Sequence, residues 1–359
     1  MMRWKITVVS LLVLVGLSGC ASIGPYSVAR DRFDYISAIS DSWKSQMLLN
    51  LVKIRYGDAP VFLDVTSVIN QYVLETQASV ASSWQTPLST NSPNAYAIGG
   101  SGKYTDRPTI TYSPLLGEKF ARKLMAPIPP AAILNLIQAG YPVDLVLRTT
   151  VHSINGIHSR YGAPARERAA DPQFYPLVEK MRKIQLSGAI GMRVKETADG
   201  MATLFVFRRH PNPQTEADSQ EVRKILGLDP ETNEISVVYG SVASNDKEIA
   251  MLTRTMLEIL IDLGSYINVP APSVEEHRTY PTPPPEMANG APVTPLIRIS
   301  SSSQEPPDAF AAVPYRNEWY WIDDKDFRSK GFFSFIMFLF TLTETEGKQG
   351  APLITIPAG

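Results

Sequence analysis

A single cysteine, Cys20, occurs in 359 residues. That excludes an intrachain disulfide framework and any cysteine-built zinc site. Histidine is nearly as scarce. His152, His158, His210 and His277 include no pair at the i,i+4 spacing that sets two zinc ligands on one helix face. Neither sign of charge is in excess, with 34 Lys+Arg against 35 Asp+Glu, so the basic surplus of a nucleic-acid binder is missing. Walker A loops, GxSxG elbows and strand–GxGxxG–helix units are absent. No cofactor, no metal site and no catalytic residue is implied, and the chain reads as a non-enzyme. Hydrophobic residues nevertheless make up 44%, enough for a sizeable core.

The most specific signal lies at the start. Arg3 and Lys5 precede an apolar run over 6–16, eleven residues with one Thr and one Ser. A bilayer span needs about 20 residues, so this run has the form of a secretory h-region instead. Leu17-Ser18-Gly19-Cys20 follows and resembles the lipobox of bacterial lipoproteins. The resemblance covers these residues alone. It implies cleavage before Cys20, a diacylglycerol thioether on its sulfur and acylation of the new amine. Two acyl signals already anchor stably, so a triacylated Cys20 would hold firmly. Ala21 is not acidic, which by the same resemblance implies sorting to the outer membrane, facing the periplasm. A signal peptide with a chance cysteine is the alternative. Loss of residues 1–19 removes Arg3 and Lys5 and takes the net charge from −1 to −3.

The remainder reads as α+β: two packed α+β regions with short mixed or antiparallel sheets, and a C-terminal segment joined by a Pro-rich linker. The expected divisions are a signal peptide (1–19), a lipidated tether (20–33), an N-terminal α+β region with a long β-hairpin (34–160), a middle α+β domain (161–269), the linker (270–295) and a β-rich segment with an apolar helix (296–359), packed on the middle domain. A core-facing helix is predicted over 34–55 from Ile36, Ile39, Trp43, Met47, Leu51 and Ile54. Alternation over 61–80 and 107–112 predicts the hairpin, with a polar tip at 82–103. Apolar spacing predicts helices over 143–154 and 247–263, and Asp171-Pro172 predicts a helix start. Eight prolines fall within 270–295, which reads as exposed polyproline II spacer.

Three clusters are candidates for contact. Trp319 and Trp321 flank Tyr320 and would share a strand face, as core or as a sugar-stacking platform. Asp323, Asp324 and Asp326 lack the Gly and closing Glu of a calcium loop and read as a helix start. Residues 332–340 (FFSFIMFLF) are apolar all round and too short to span a bilayer. They read as core, with a partner groove or shallow membrane contact through Phe332, Phe333, Phe335 and Phe338 as the alternative. Stretches 108–114 and 319–324 resemble bacterial envelope lipoproteins of unassigned activity. The expected role is an accessory or docking subunit of a secretion, export or cell-wall assembly, with membrane lipid bound through Cys20, a protein partner in the envelope and no nucleic acid. The alternatives are a ligand- or glycan-binding lipoprotein, or a carboxylate-dependent hydrolase.

Overall fold

The computed structural model describes residues 23–69, 72–82, 96–106, 109–115, 117–162, 167–197, 200–209, 212–344 and 354–357. Cys20 and the lipobox lie outside them. The fold is α+β, as composition and periodicity predict.

Helix α1 (Ile23–Arg55) is one continuous element. It absorbs residues 23–33, which the sequence reading made a tether. Pro25 is compatible with this because a first-turn proline forfeits no intrahelical hydrogen bond. The predicted stripe divides along the helix. Met47, Leu48, Leu51 and Val52 are buried, whereas Phe33, Ile36 and Ile39 are 72%, 54% and 36% exposed.

Strands β1 (Phe62–Ile69), β2 (Tyr72–Ser82), β3 (Tyr96–Asp106) and β4 (Thr109–Leu115) realise the long hairpin. β1 pairs with β4, and β2 with β3 out to Ser82 opposite Tyr96. Residues 96–103 are therefore ladder rather than tip, and 83–95 lie outside the described residues. The root is fixed by two amides one turn apart on α1. Asn50 exchanges hydrogen bonds of 2.8 and 2.9 Å with the Val61 backbone, and Gln46 does the same for Leu63. They stand in for a neighbouring strand.

Helices α2 (Glu118–Met125), α3 (Pro130–Gln138) and α4 (Val143–Thr150) follow. The helix expected over 143–154 stops at Thr150, and Val151–Ile154 becomes β5, paired with β6 (Ile157–His158). Asn155 and Gly156, at φ 47° and 78°, make the two-residue turn that such a hairpin requires. Then come α5 (Phe174–Leu186), β7 (Ile190–Thr197), β8 (Gly200–Phe207), α6 (Pro213–Leu226), β9 (Glu234–Tyr239), β10 (Glu248–Thr253) and α7 (Met256–Gly264). The long helix expected over 247–263 is thus a strand and a short helix. Thr255 and Glu258 form a capping box that restarts the chain as α7.

The central sheet runs β6-β5-β10-β9-β8-β7, with only the β9–β10 pair parallel. It takes β5 and β6 from the stretch assigned to the N-terminal region, so a boundary at 160/161 would cut a sheet. One apolar cluster extends from Met47 to Phe340 and joins all the regions.

Residues 270–295 depart from a free spacer. They hold α8 (Ala271–Glu275) and a small pair, β11 (Met287–Ala288) with β12 (Ala291–Pro292). None is buried, yet they are strapped to the body. The Arg55 guanidinium donates to the Tyr280 carbonyl at 2.8 Å and lies 3.6 Å over its ring. Thr282 donates to the Ile267 carbonyl, and Arg148 to that of Thr294. Proline removes donors from this stretch, so its carbonyls and side chains make the attachments.

A last sheet, β13-β15-β14, comprises β13 (Ser300–Ser302), β14 (Ala309–Tyr315) and β15 (Glu318–Asp323). Helix α9 (Phe327–Glu344) and β16 (Ile354–Pro357), which pairs with β4, complete the order. This segment packs chiefly on the N-terminal region rather than the middle one. β14 and β15 lie on α1, and α9 lies on α2. Tyr56 and Tyr320 share a 2.6 Å hydrogen bond, and Phe62 meets Phe340 at 4.5 Å.

Candidate functional site

Helix α9 answers the question posed by its composition. Phe332, Phe333, Phe335 and Phe340 are buried, while Phe338 is 45% exposed and stacks 6.3 Å from Tyr141. The helix is apolar all round because it is covered on nearly every side, by Phe62, Phe120, Tyr141 and Phe310 among others. Of the four candidate phenylalanines only Phe338 remains as a surface contact. Asp326 begins the helix as the acidic cluster predicts: its carboxylate accepts from the Ser329 amide at 3.1 Å and from the Ser329 hydroxyl at 2.8 Å. Among the described residues no group of three or more acidic, His or Cys side chains could hold a metal.

On β15 the alternation is inverted relative to a core reading of the tryptophans. Tyr320 and Ile322 are buried, and Trp319 and Trp321 share the other face, half-buried. Register places Ser302 and Pro314 beside Trp319, and Ser300 and Ala312 beside Trp321. Small neighbours leave the two indoles as the relief of that sheet face.

His152 and His158, six positions apart, line one cleft of about 480 Å³ together with Tyr161, Thr253 and Glu258. His152 Nε2 lies 3.3 Å from Glu258, whose other oxygen accepts from the Thr255 amide. Burial, followed by the Arg254 charge, holds His152 below its ordinary range. Burial opposes the charge of Glu258, but the Thr255 amide and His152 bring it net below the usual carboxylate range. His158 Nδ1 lies 3.2 Å from Asp171, and its amide donates to the same oxygen at 2.8 Å. Asp171 therefore fastens the β6 end instead of starting a helix, and α5 begins at Phe174. Neither histidine reaches a hydroxyl nucleophile among its recorded partners. Each is tied to a carboxylate that is already holding the backbone.

Beneath this cleft lies a charge network that periodicity did not reveal. Arg254 is fully buried and donates to Asp262 at 3.0 Å and to Ser159 Oγ at 2.9 Å. Asp262 also accepts from the Gly162 amide at 2.6 Å and from Arg160 at 3.1 Å. The network locks the segment that follows β6, Ser159 to Gly162, to α7. Its signal in the sequence is one arginine within the apolar run Ile249 to Leu263.

The remaining feature is an absence of partners. β2 and β3 form a two-stranded sheet, paired only with one another among the described strands. Each eleven-residue strand keeps one row of backbone donors and acceptors unpaired. Natural edges of this length are normally shortened, bulged or studded with charge and proline. Here the ladder shows no register shift, and Glu75, Lys103 and Asp106 are its only charged residues. Glu75, Ser79, Ser101 and Lys103 are exposed. The exposed apolar residues of α1, Phe33, Ile36 and Ile39, form a second unpartnered surface.

Comparison with known protein families, with curated proteins and with solved structures returns no match. No helix among the described residues is long and apolar enough to cross a membrane.

Proposed function

We propose that this chain is a bacterial lipoprotein, anchored at the periplasmic face of the outer membrane through acylated Cys20, and that it serves as a docking subunit of an envelope assembly. The β2–β3 ribbon carries the reading. Two open, nearly charge-free edges are a template for pairing with another chain. The lipobox-like Leu17-Ser18-Gly19-Cys20 supplies the address. The two histidine–carboxylate pairs serve backbone positions, which favours docking over hydrolysis.

The test uses the full chain in its native envelope. Cys20→Ser is expected to abolish labelling by a fatty-acid probe and release the protein from membranes. Replacement of residues 72–106 by a short Gly/Ser turn is expected to leave the melting temperature of the body nearly unchanged and to remove the protein from its high-mass cross-linked complex. Retained labelling in the serine variant, or an intact complex without the ribbon, would sink the proposal. A glycan-binding role has one observation of its own, the half-buried Trp319–Trp321 pair on the strand face opposite Tyr320. Quenching of indole fluorescence by peptidoglycan fragments would favour it.

A further inference from the structure

The ribbon differs from an ordinary edge in how residue types alternate along its register. One set of paired positions holds Tyr72 with Asp106, Leu74 with Tyr104, Thr76 with Gly102, Ala78 with Gly100, Val80 with Ile98, and Ser82 with Tyr96. The intervening set holds Glu75 with Lys103, Gln77 with Ser101, and Ser79 with Gly99. Successive residues of a strand belong to opposite faces, so between Leu74 and Val80 one face of the ribbon is assigned mainly apolar and small residues, with Thr76 among them, and the other mainly polar ones. Of the three charges in the ladder, Glu75 and Lys103 occupy one register pair, and Asp106 lies opposite Tyr72 at the root end. Tyrosines mark both ends of the first set, Tyr72 and Tyr104 near the root and Tyr96 at the far end.

Those are the specifications of a membrane-spanning β-strand pair. A transmembrane strand needs about 9–11 residues, alternates apolar and polar positions, and is flanked by aromatic girdles. Eleven residues extend about 35 Å, and a tilt of about 40° reduces this to about 27 Å, close to the apolar band of an outer-membrane barrel. Open edges are not tolerated in hydrocarbon, where unpaired amides have no water, so a lone hairpin cannot reside there. Its edges must be closed by further strands. Among the described strands these two alone combine that length with pairing only to one another, and each copy presents one free edge on either side. Repetition of the same ribbon closes a ring. Small barrels have about eight strands, which sets a minimum of about four copies.

We infer that the β2–β3 ribbon is one stave of a transmembrane β-barrel assembled from several copies of this chain, its Leu74–Val80 face toward lipid and its Glu75–Ser79 face toward the lumen. The inference rests on the lipoprotein reading, which brings the ribbon to the bilayer, and it names the docking partner as the chain itself.

The lone native cysteine makes a clean test available, since lipidation blocks its thiol. Single cysteines are placed in the full-length lipidated chain at Leu74, Thr76, Ala78 and Val80, and separately at Glu75, Gln77, Ser79 and Ser101. Each is labelled with an environment-sensitive fluorophore and reconstituted in vesicles of phosphatidylethanolamine and phosphatidylglycerol. Brominated acyl chains are expected to quench the first set, and aqueous iodide the second, with a period of two along the strand. Val80→Asp is expected to abolish the cross-linked oligomer, whereas Gln77→Asp leaves it intact. Equal iodide quenching of both sets overturns the barrel. If the complex in the envelope still disperses when residues 72–106 are replaced, docking to another protein survives that result. If the complex persists without them, docking falls as well.

Discussion

Asp262 is the residue on which the interior of the body turns. Its two oxygens neutralise Arg254, which has no exposure at all, and Arg160, and they also accept from the Gly162 amide. Asp262→Ala leaves one guanidinium fully buried without its counter-charge and orphans a buried amide. Breaking such a pair from one side costs about 3–5 kcal/mol. Unfolding entropy of about 2.1 cal/mol/K per residue gives about 0.7 kcal/mol/K for a body of this length, so the melting temperature is expected to fall by about 4–7 °C. Arg254→Met combined with Asp262→Leu removes both charges together. It is expected to cost less than the sum of the single changes, by about 1–3 kcal/mol. Urea titration at neutral pH and calorimetry of the wild type, Asp262→Ala, Arg254→Met, Asp262→Leu and the pair measure these effects. A single Asp262→Ala change costing under about 1 kcal/mol, or strict additivity of the pair, would refute the view that Asp262 holds the segment after β6 to α7.

The two remaining predictions concern pH and the C-terminal helix. His152 is held below its ordinary value of 6.5, so the unfolded chain binds its proton more readily than the folded one. Its contribution to stability is complete above pH 6.5 and is lost as pH falls toward the depressed folded value; melting curves of His152→Gln should be flatter than wild type in that interval. Phe340→Ala is expected to cost about 3–5 kcal/mol and Phe338→Ala under about 1 kcal/mol, measured by urea unfolding, because the first side chain is fully buried against Phe62 and the second is 45% exposed.

Much of the architecture was legible because local chemistry and tertiary context agree. Met47, Leu51 and the FFSFIMFLF run fall in the core where periodicity puts them. The errors cluster where an apolar run is short. Residues 249–252 (IAML) are equally apolar as strand or helix, so period alone cannot assign them. The capping box at Thr255 and Glu258 was the available cue that a helix begins there and not earlier. Val151 to Ile154 continued a helical spacing, but pairing with β10 and β6 outweighs it. The tryptophans misled because aromatic size suggests burial. The neighbouring Tyr320 is taken inward instead, where its hydroxyl finds that of Tyr56. The Arg254 network stayed hidden since no spacing rule links Arg160, Arg254 and Asp262, and the ribbon's open edges follow from topology rather than pattern.

The hydrogen bond between Tyr56 and Tyr320 joins positions 264 apart, and Phe62 waits even longer for Phe340. A chain that emerges from its N-terminus at about 5–20 residues per second carries Met47, Leu51 and Phe62 without their final cover for about 13–50 s. During that interval the first helix is an amphipathic surface in search of a mate, and a full-length nascent chain needs a holding chaperone more than a folding catalyst. A product truncated anywhere before Phe340 never acquires the closing layer. A chain that stops before β14 leaves the first helix without that cover, and one that stops between β15 and Phe340 leaves Phe62 without its partner ring.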